Sequence, residues 1–579
     1  MRPDGSTVLR SPEALGAYDR CIGAWLERWA RESPDALAFA ERAAAGGWRR
    51  VTWREARGLV GALAQGLLDL DLPREKPVAV ISDNSVDHVL LMLAAMHVGR
   101  PICSVSTAYS RLTKDHAKIK SILDALDPAL IFASDVSTYG AAIRAARGSA
   151  CVVLGSGADD MPGAVALHEL LAVRETGAVM RAFETIEPDA HAKYLLTSGS
   201  TGNPKVVINT HRMLCANQQM MAQVWRFLET EKPILVDWLP WSHTFGGNHD
   251  LNLVLRHGGT LYVDEGRPAP GLIDATVRNL REVRPNLLFN VPRGLDMMLP
   301  ALEADLALAR DVFSALRMVF YAGAALPSST WSRLQTLAAK VRDEPLWMTT
   351  SWGATETSPA VTSAHWRLEK AGSIGNPLPG LELKLVPNGE KQELRVRGVS
   401  VFPAYRNAPE ATAQAFDDEG YYKIGDAGYL EDDAHPQHGV VFNGRVAEDF
   451  KLTTGTWVSV GTLRPTLVAA FAPWAQDAVL TGHDREEVGV LLFPSAAGLE
   501  LAPEVLAEHL RSAMRLLAAQ GLGSSQCPGR LLVMTEPPNA DAGEITDKGY
   551  LNQGAVLRRR AADVLLLHAE VPGFRVIRP

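Results

Sequence analysis

Hydrophobic residues near the N-terminus recur at the spacing of a helix. Trp25, Leu26 and Trp29 repeat in this way, and the stretch 53–70 continues the pattern. Because residues three and four apart share one face of a helix, we expect residues 18–70 to be helical. Tryptophan at such spacing usually packs inside a domain, so we interpret these side chains as core.

Short apolar runs then alternate with helical patterns. The candidate strands cover residues 78–81, 102–105, 130–133, 152–154, 194–196 and 234–236, and two units of a strand followed by a turn cover residues 286–292 and 318–325. The candidate helices cover residues 86–98, 118–126 and 212–227. This alternation predicts a buried, mainly parallel sheet with helices on both faces. A loop that leaves the carboxyl end of such a strand lies where open α/β sheets bind their ligands.

The last part of the chain carries a separate pattern. Its candidate elements are strands at 479–480, 488–493 and 531–534 and a helix at 503–519. A chain of 579 residues exceeds what one hydrophobic core usually organises. We therefore predict an α/β protein whose large N-terminal domain, residues 1–444, has parallel-rich sheets flanked by helices. A small α+β lid domain would follow at residues 445–579.

The composition and net charge mainly exclude certain classes of binding partner. Hydrophobic residues make up 47% of the chain and charged residues 21%, which is ordinary for a globular protein. The net charge of −8 and the pI of about 6.0 create no field that favours nucleic acid or anionic membranes. An anionic substrate must therefore be met by local cations and backbone donors.

Cysteine usage and the N-terminus bear on location. The five cysteines show no Cys-x-x-Cys pairing and fit reduced thiols. The N-terminus lacks the apolar segment of a signal peptide, and no apolar run reaches the roughly 18 residues that a membrane span needs. We expect a cytoplasmic monomer or homodimer without a nucleic-acid or membrane partner.

The densest candidate chemistry follows the strand at 194–196. The segment reads Thr197-Ser198-Gly199-Ser200-Thr201-Gly202-Asn203-Pro204-Lys205. Glycines let the backbone turn tightly and bring its N–H groups near a ligand, while the hydroxyls and Lys205 add donors and a cation. That combination suits a polyphosphate, and the alternative is a flexible polar loop. A Walker loop is excluded, because Pro204 separates Gly202 from Lys205.

An aromatic segment follows the next strand. Between Asp237 and Gly247 it contains Trp238, His243 and Phe245. Such side chains in a strand-to-loop segment can wall a flat apolar pocket. A buried aromatic cluster explains the same residues, and the pattern alone leaves both interpretations open.

Three further motifs offer backbone or polar contacts. The small residues 322–325, which include Gly323 and Ala324, leave room for a planar ring or simply pack tightly. The segment Trp352-Gly353-Ala354-Thr355-Glu356 offers a hydroxyl to a phosphate and a carboxylate to Mg²⁺, unless it is ordinary surface. Asp426, which we place after a strand, can accept two ribose hydroxyls or form an Asx turn.

Taken in order, these motifs resemble those of the adenylate-forming superfamily, which includes acyl- and aryl-CoA ligases, luciferases and peptide-synthetase adenylation domains. The resemblance covers essentially the whole chain. The loop matches the superfamily pattern through Lys205 and departs from it at Val206, where a glycine is usual. Details at 208–213, 237–249 and 448–460 resemble most closely the bacterial feruloyl-CoA synthetases, which act on hydroxycinnamates.

The resemblance implies roles for these residues. Those implied to bind ATP or AMP are Thr197, Ser198, Gly199, Ser200, Thr201, Gly202, Lys205, Gly323, Ala324, Trp352, Gly353, Thr355, Asp426 and Arg445. Those implied to contact the acyl group or CoA are Trp238, His243, Phe245, Lys451 and Gly455. The implied catalytic residues are His243, Thr355, Glu356 and Lys548. Glu356 would hold Mg²⁺, and Lys548 would be the adenylation lysine.

In the superfamily the C-terminal domain rotates about a hinge beside an arginine that corresponds to Arg445. The hinge residue is usually Asp or Lys two positions later. That position holds Ala447 here, and Glu448 and Asp449 are the nearest candidates. Lys548 follows a turn near the C-terminus, as the adenylation lysine does, although no glycine precedes it.

The resemblance also implies an activity. The protein would be an ATP-dependent carboxylate–CoA ligase that activates an aromatic acid, of the feruloyl or hydroxycinnamoyl class, as an acyl-adenylate and transfers it to CoA. ATP, Mg²⁺ and coenzyme A would be its cofactors, and a small carboxylic acid its partner. Two alternatives are a stand-alone adenylation enzyme that loads a carrier protein and a catalytically inactive nucleotide-binding homologue.

Overall fold

The structure is a computed structural model. It describes residues 2–111, 116–197, 204–389, 391–521, 523, 525–539, 542–545, 551–571, 573 and 575–579. The predictions for five loop residues and for the adenylation lysine lie outside the described residues, namely Ser198, Gly199, Ser200, Thr201, Gly202 and Lys548.

Strands and helices alternate along most of the chain. The strands are β1 (Thr7–Arg10), β2 (Leu37–Arg42), β3 (Trp48–Thr52), β4 (Val78–Val80), β5 (Ile102–Ser104), β6 (Leu130–Asp135), β7 (Cys151–Ser156), β8 (Ala164–Ala166), β9 (His191–Thr197), β10 (Lys205–Thr210), β11 (Ile234–Asp237), β12 (Thr260–Val263), β13 (Leu287–Asn290), β14 (Met318–Tyr321), β15 (Met348–Gly353), β16 (Ala360–Ser363), β17 (Ser373–Pro377), β18 (Leu381–Asn388), β19 (Lys391–Gly398), β20 (Tyr422–Leu430), β21 (Val440–Arg445), β22 (Phe450–Lys451), β23 (Trp457–Val458), β24 (Ala475–Thr481), β25 (Val488–Pro494), β26 (Pro528–Val533) and β27 (Val576–Ile577). The helices are α1 (Gly23–Glu32), α2 (Trp53–Asp69), α3 (Val86–His97), α4 (Ala108–Arg111), α5 (Ala117–Leu126), α6 (Val136–Ala146), α7 (Leu167–Leu171), α8 (Gly177–Glu184), α9 (His211–Val224), α10 (Leu251–His257), α11 (Ile273–Val283), α12 (Pro292–Ala304), α13 (Leu306–Ser314), α14 (Ser328–Ala339), α15 (Pro409–Ala415), α16 (Val460–Ala470), α17 (Ala496–Leu499), α18 (Pro503–Ala519), α19 (Gln553–Arg559) and α20 (Ala561–Leu567).

A seven-stranded sheet carries the end of the predicted phosphate loop. Its order is β10-β9-β5-β4-β6-β7-β8, and all its neighbouring strands are parallel except β9 and β10. The strand β4 is buried along its whole length, as expected for a strand covered on both faces. The predicted α/β fold class, with its mainly parallel sheet and flanking helices, is confirmed.

The other N-terminal sheets bring the remaining motifs together. A ten-stranded sheet has the order β1-β18-β19-β20-β21-β17-β16-β15-β14-β13. Its strands β13 to β15 are parallel, and the strands from β15 onward pair antiparallel. A four-stranded sheet has the order β11-β12-β2-β3. The motifs in or directly after β14, β15, β20 and β21 therefore lie on strands of one sheet.

The helical prediction for residues 18–70 is wrong in its middle. Helix α1 ends at Glu32, and β2 and β3 form an antiparallel hairpin before α2 begins at Trp53. Strand β2 pairs with the distant β12, and such long-range pairing overrides local periodicity. The core interpretation holds, since Trp25 and Trp53 are fully buried and Trp29 packs partly buried against the same core.

The segment after the loop also differs from expectation. Residues 205–210, to which the sequence pattern assigned no element, form β10, which returns antiparallel beside β9. Helix α9 then ends at Val224 instead of residue 227, because the chain continues as a short 3₁₀ turn over Arg226–Glu229. The loop thus joins two paired strands.

The C-terminal part has its own sheet, in the order β24-β25-β26-β27. Side chains such as Phe450, Leu480 and Leu510 pack into a hydrophobic cluster made only of residues beyond position 449. The predicted helix 503–519 matches α18. This α+β unit follows the large sheet-rich domain, and the boundary at residue 445 stays a prediction. Among the described helices, none combines the length and the apolar character needed to cross a membrane.

Candidate active site

The two ends of the predicted phosphate loop face each other across a hairpin. Thr197 of β9 pairs with Lys205 of β10. The Lys205 ammonium lies 4.6 Å from the ring centre of Tyr405, which gives the cation an aromatic support. Val206, at the position where the superfamily has glycine, is 4% exposed and packs into the core. The hairpin therefore presents Lys205 beside the loop.

A short turn after β15 holds Thr355 and Glu356. A side chain at Gly353 would overlap the carbonyl oxygen of Pro359, so the turn requires glycine there. The backbone N–H of Ala354 donates to the Thr357 hydroxyl at 2.8 Å. This local packing fixes the direction in which the two candidate residues leave the strand.

Glu356 is buried and hydrogen-bonded, which contradicts the interpretation of this motif as ordinary surface. Glu356 is 6% exposed, and the Tyr405 hydroxyl donates to its Oε1 at 2.9 Å. The backbone N–H of Phe402 donates to the Glu356 carbonyl at 2.7 Å. Burial raises the pKa of the Tyr405 phenol, and the neighbouring Glu356 carboxylate raises it further. The phenol therefore remains a donor at neutral pH.

Oxygen ligands near the turn fit the implied Mg²⁺. Glu356 offers a carboxylate and Thr355 a hydroxyl, and Mg²⁺ prefers oxygen. Among the described residues, no group of three or more His, Cys, Asp or Glu side chains could form an all-protein metal cage. Proteins usually hold Mg²⁺ through one or two carboxylates together with substrate phosphates and water. The donor set is of this kind.

Three predicted nucleotide residues meet at Asp426. The Trp352 indole N–H donates to Asp426 Oδ2 at 2.8 Å, and Arg445 Nε lies 2.9 Å from Oδ1. Asp426 is 6% exposed, whereas the Arg445 side chain is 56% exposed. The Asp426 carboxylate raises the pKa of Arg445. The carboxylate is thus oriented from two sides, and the guanidinium faces solvent.

The position predicted for Asp426 is wrong in one respect. It lies inside β20, directly opposite Arg445 of β21, and does not follow a strand. The register of the two strands shifts between Asp426 and Gly428, and Gly425 has a φ of +82°. This irregularity, which requires glycine, explains why a turn-like sequence is part of a strand.

The residues proposed to support a planar ring follow β14. Gly323 has a φ of +87°, which favours glycine. Gly323 and Ala324 are both exposed, so the tight-packing alternative is wrong. The turn therefore leaves the backbone exposed at the end of β14. This strand is the neighbour of β15, which contains Trp352.

The aromatic segment divides between the two interpretations. Phe245 is 5% exposed and packs edge-on against Phe320 and His249, with ring centres 5.5 and 5.7 Å away. It belongs to a buried aromatic cluster, contrary to a role in walling an open pocket. Trp238 and His243 are half-buried. The backbone N–H of Phe245 donates to His243 Nδ1 at 3.2 Å, so the neutral ring carries its proton on Nε2.

Buried polar residues that the sequence analysis missed support this segment. The Lys193 ammonium donates to the Gly247 carbonyl at 2.6 Å, and burial lowers its pKa from 10.5 to about 7. Asn248 donates to Asn209 at 2.8 Å, and Asn209 donates to the Thr355 carbonyl at 3.3 Å. A lone lysine inside an apolar strand was the only sequence signal for Lys193.

A buried acidic group lies at the base of the same segment. Asp237 and Asp250 are 3% and 0% exposed. Burial raises the pKa of Asp237 to about 7 and that of Asp250 well above its usual value. His249 Nδ1 lies 2.8 Å from Asp250 Oδ1. Burial and the neighbouring Asp237 carboxyl both favour the neutral form of the Asp250 carboxyl.

The predicted residues of the C-terminal part make contacts on their own side. Lys451 is exposed, and its ammonium lies 5.0 Å from the Trp457 ring. Gly455 is exposed at a turn with φ of +81°.

The hinge candidates differ in what holds them. The Asp449 carboxylate pairs with Lys391 and accepts the Val460 N–H at 3.0 Å. Lys391 also donates to the Asn443 carbonyl at 2.6 Å, so this lysine joins the two parts of the chain. Burial raises the pKa of Glu448.

Comparison with known proteins gives a consistent family. A sequence model of the family described as "AMP-binding enzyme" matches residues 26–406. A 3-hydroxybenzoate–CoA ligase of Aromatoleum sp. (strain CIB) is 25% identical over 92% of this chain and 95% of its own length. A probable CoA ligase of Humulus lupulus is 26% identical over 62% of this chain. The chain spans 60% of that plant protein. It spans 30–40% of three relatives from Paxillus involutus, one named as an atromentin synthetase and two as inactive atromentin synthetases.

A solved structure has the same fold. The o-succinylbenzoate CoA synthetase of Bacillus subtilis, in complex with its acyl-adenylate intermediate, has a TM-score of 0.71 to this chain at 18% identity. The match covers 93% of this chain and 98% of the bacterial one.

Proposed function

The chain belongs to the AMP-binding enzyme family, and on that premise we propose that it is an AMP-forming acyl-CoA synthetase for an aromatic acid. One observation carries the proposal. The turn after β15 orients a buried carboxylate, Glu356, close in sequence to Trp352, whose indole orients the second buried carboxylate, Asp426. The Glu356 carboxylate suits a metal–phosphate group, and the Asp426 carboxylate suits a ribose.

The nucleotide is bound by residues of the N-terminal domain. The loop from Thr197 to Lys205 binds the β- and γ-phosphates, and Thr355 donates to the α-phosphate. Glu356 would hold Mg²⁺, which when bound would neutralise phosphate charge. Asp426 accepts hydrogen bonds from the ribose hydroxyls. These groups position the α-phosphorus and offset the charge that develops there.

Two bond exchanges complete the reaction. An oxygen of the substrate carboxylate attacks the α-phosphorus, the α–β phosphoanhydride bond breaks and pyrophosphate leaves. Lys548 bridges the carboxylate and the α-phosphate during this step, and its attraction grows as the closed lid excludes water. The lid then turns, the CoA thiol loses its proton to solvent, and the thiolate attacks the acyl carbon. A thioester forms and AMP leaves.

We further propose an aromatic acid of the hydroxycinnamate class, such as ferulate, as the substrate. Half-buried Trp238 packs against the hydrophobic core that contains Phe245, and half-buried His243 accepts the Phe245 N–H. These side chains favour a planar acid over a long alkyl chain. The relative named 3-hydroxybenzoate–CoA ligase supports an aromatic acid as the substrate. It does not favour any particular pattern of substituents on the ring.

The decisive experiment is carboxylate-dependent ATP–pyrophosphate exchange, followed by thioester formation with CoA. We would screen cinnamates, benzoates and fatty acids, and expect exchange and thioester formation with cinnamates. No exchange with any acid would exclude an adenylating enzyme. Exchange without thioester formation on CoA would favour loading of a carrier protein, and a preference for fatty acids would overturn the substrate class.

A further inference from the structure

A short segment outside the predicted motifs joins two of them. This connecting segment, residues 402–406, runs beside β10, the strand that leaves the phosphate loop. The backbone N–H of Arg406 donates to the Val206 carbonyl at 2.8 Å, and Tyr405 forms a β-bridge with Val207. At its other end, the backbone N–H of Phe402 donates to the Glu356 carbonyl at 2.7 Å. The connecting segment therefore links the loop exit to the Glu356 turn.

The Tyr405 side chain of the connecting segment makes a second link between the loop exit and the Glu356 turn. Tyr405 is 6% exposed, and its hydroxyl donates to Glu356 Oε1 at 2.9 Å. The Lys205 ammonium lies 4.6 Å from the ring centre of the same residue. Phe402 packs against that ring with its own centre 4.7 Å away. A single phenol thus contacts both a carboxylate and a cation that the proposed function assigns to the phosphates.

We propose that Tyr405 is a positioning residue that orients Glu356 toward Mg²⁺ and Lys205 toward the phosphates of the same nucleotide. This inference rests on the proposed function, because it takes Glu356 as the metal residue. The hydroxyl and the ring have separate tasks: the hydroxyl orients the carboxylate, and the ring orients the ammonium.

Physical chemistry gives a reason for both tasks. A glutamate side chain has three rotatable bonds, and a hydrogen bond to one carboxylate oxygen removes most of that freedom before the ligand arrives. A buried carboxylate also needs such a donor to offset lost hydration. The negative face of an aromatic ring attracts an ammonium group without neutralising it, so Lys205 keeps its full charge for a phosphate.

The test measures how much Mg²⁺ strengthens ATP binding. Calorimetric titrations with ATP, once in EDTA and once in Mg²⁺, give two dissociation constants whose ratio is the metal-dependent gain. Tyr405→Phe removes only the hydroxyl, and we expect the gain to fall about 10-fold, because the lost hydrogen bond involves a charged group. ATP affinity in EDTA should change by less than about 2-fold, because the ring below Lys205 remains.

Two further variants separate the tasks. Tyr405→Leu also removes the ring, and we expect it to weaken ATP binding in EDTA by about 3-fold. Tyr421→Phe is the matched control, since Tyr421 is fully buried and its hydroxyl donates to the Glu382 carboxylate at 2.6 Å, as the Tyr405 hydroxyl does to Glu356. We expect Tyr421→Phe to leave the metal-dependent gain unchanged. Thermal unfolding without nucleotide shows whether each variant is folded.

Glu356→Gln distinguishes a failure of this inference from a failure of the proposed function. If Glu356→Gln lowers the metal-dependent gain and Tyr405→Phe does not, the positioning role is wrong while the proposed function stands. If Glu356→Gln leaves the gain unchanged, Glu356 does not hold the metal, and the inference is overturned. If both variants lower the gain equally and their double variant lowers it no further, the inference is supported. That support would hold even if the exchange assay found no carboxylate substrate.

Discussion

The two carboxylates that we predict to contact the nucleotide and the lysine of the C-terminal part that we predict to contact CoA differ in how they are held. Glu356 and Asp426 are almost completely buried, and each accepts a hydrogen bond from a residue 49 or 74 positions away in the chain. Lys451 of the lid is exposed. A carboxylate that must receive a metal or a ribose benefits from preorganisation. A cation that must enter and leave cannot be fixed in the same way.

The connection between the two regions agrees with this division. The lid has its own hydrophobic cluster, and Lys391 of the large domain reaches across to Asp449 and to Ser459, the latter at 3.2 Å. Polar contacts of this kind are exchanged more easily than a hydrophobic interface. The comparison therefore predicts different consequences for changes on the two sides.

Lys548→Ala is expected to have the largest effect. It removes the positive charge that the lid would deliver to the reacting oxygen, so adenylation should fall about 100- to 1000-fold. Thioester formation from supplied acyl-adenylate should be nearly unchanged, because under the proposed mechanism the lid would have turned by then. Pyrophosphate exchange measures the first half-reaction, and thioester production from the adenylate measures the second. An equal loss in both would contradict the assigned role.

Asp426→Ala tests the fixed side of the comparison. The ribose hydroxyls would lose their acceptor, and the ATP dissociation constant should rise about 10- to 100-fold. The buried Trp352 N–H would also lose its partner, which should lower the free energy of unfolding by about 1–3 kcal/mol. Calorimetry with ATP and chemical denaturation measure the two effects. Asp433→Ala, at an exposed loop residue, serves as the control, and an unchanged ATP affinity in Asp426→Ala would remove Asp426 from the site.

Lys193→Met is expected to have the smallest effect. It tests whether the buried Lys193 amine makes the free energy of unfolding depend on pH. The folded-state pKa of Lys193 is about 7, below the usual 10.5. Between these values the unfolded chain binds a proton that the folded chain does not, so stability rises with pH. Below pH 7 the cost of protonating the buried amine is fully present.

Removing the amine removes this linkage. The slope of the unfolding free energy between pH 7.5 and 9.5 should therefore decrease in Lys193→Met, by at most about 1.4 kcal/mol per pH unit. Denaturant titrations across that range measure it. Lys340→Met, at an exposed lysine, should keep the wild-type slope. An unchanged slope in Lys193→Met would show that Lys193 is charged when buried.

Several features could be predicted from the sequence because they depend on neighbouring residues. Apolar runs such as Val78–Val80 and the periodic helix Pro503–Ala519 appear where their patterns indicate them. Local conformational preference and the alternation of apolar and polar residues were enough for these.

Pairings between distant residues could not be predicted in this way. The hairpin β2–β3 interrupts a helical pattern because β2 pairs with β12, and Asp426 lies within a strand because β20 pairs with β21. No spacing of residues along the sequence indicates the contacts of Tyr405 with Glu356 and Lys205. Nothing local distinguishes these residues from other tyrosines, glutamates and lysines.

By itself, the sequence determined the α/β class, the order of the motifs and the chemical groups available to a nucleotide. Only the tertiary structure decided which carboxylates are buried, which donor each one accepts from, and that Phe245 belongs to a packed aromatic cluster. The reason is physical: local preferences act over a few residues, whereas burial and hydrogen-bond partners depend on the whole chain folding at once.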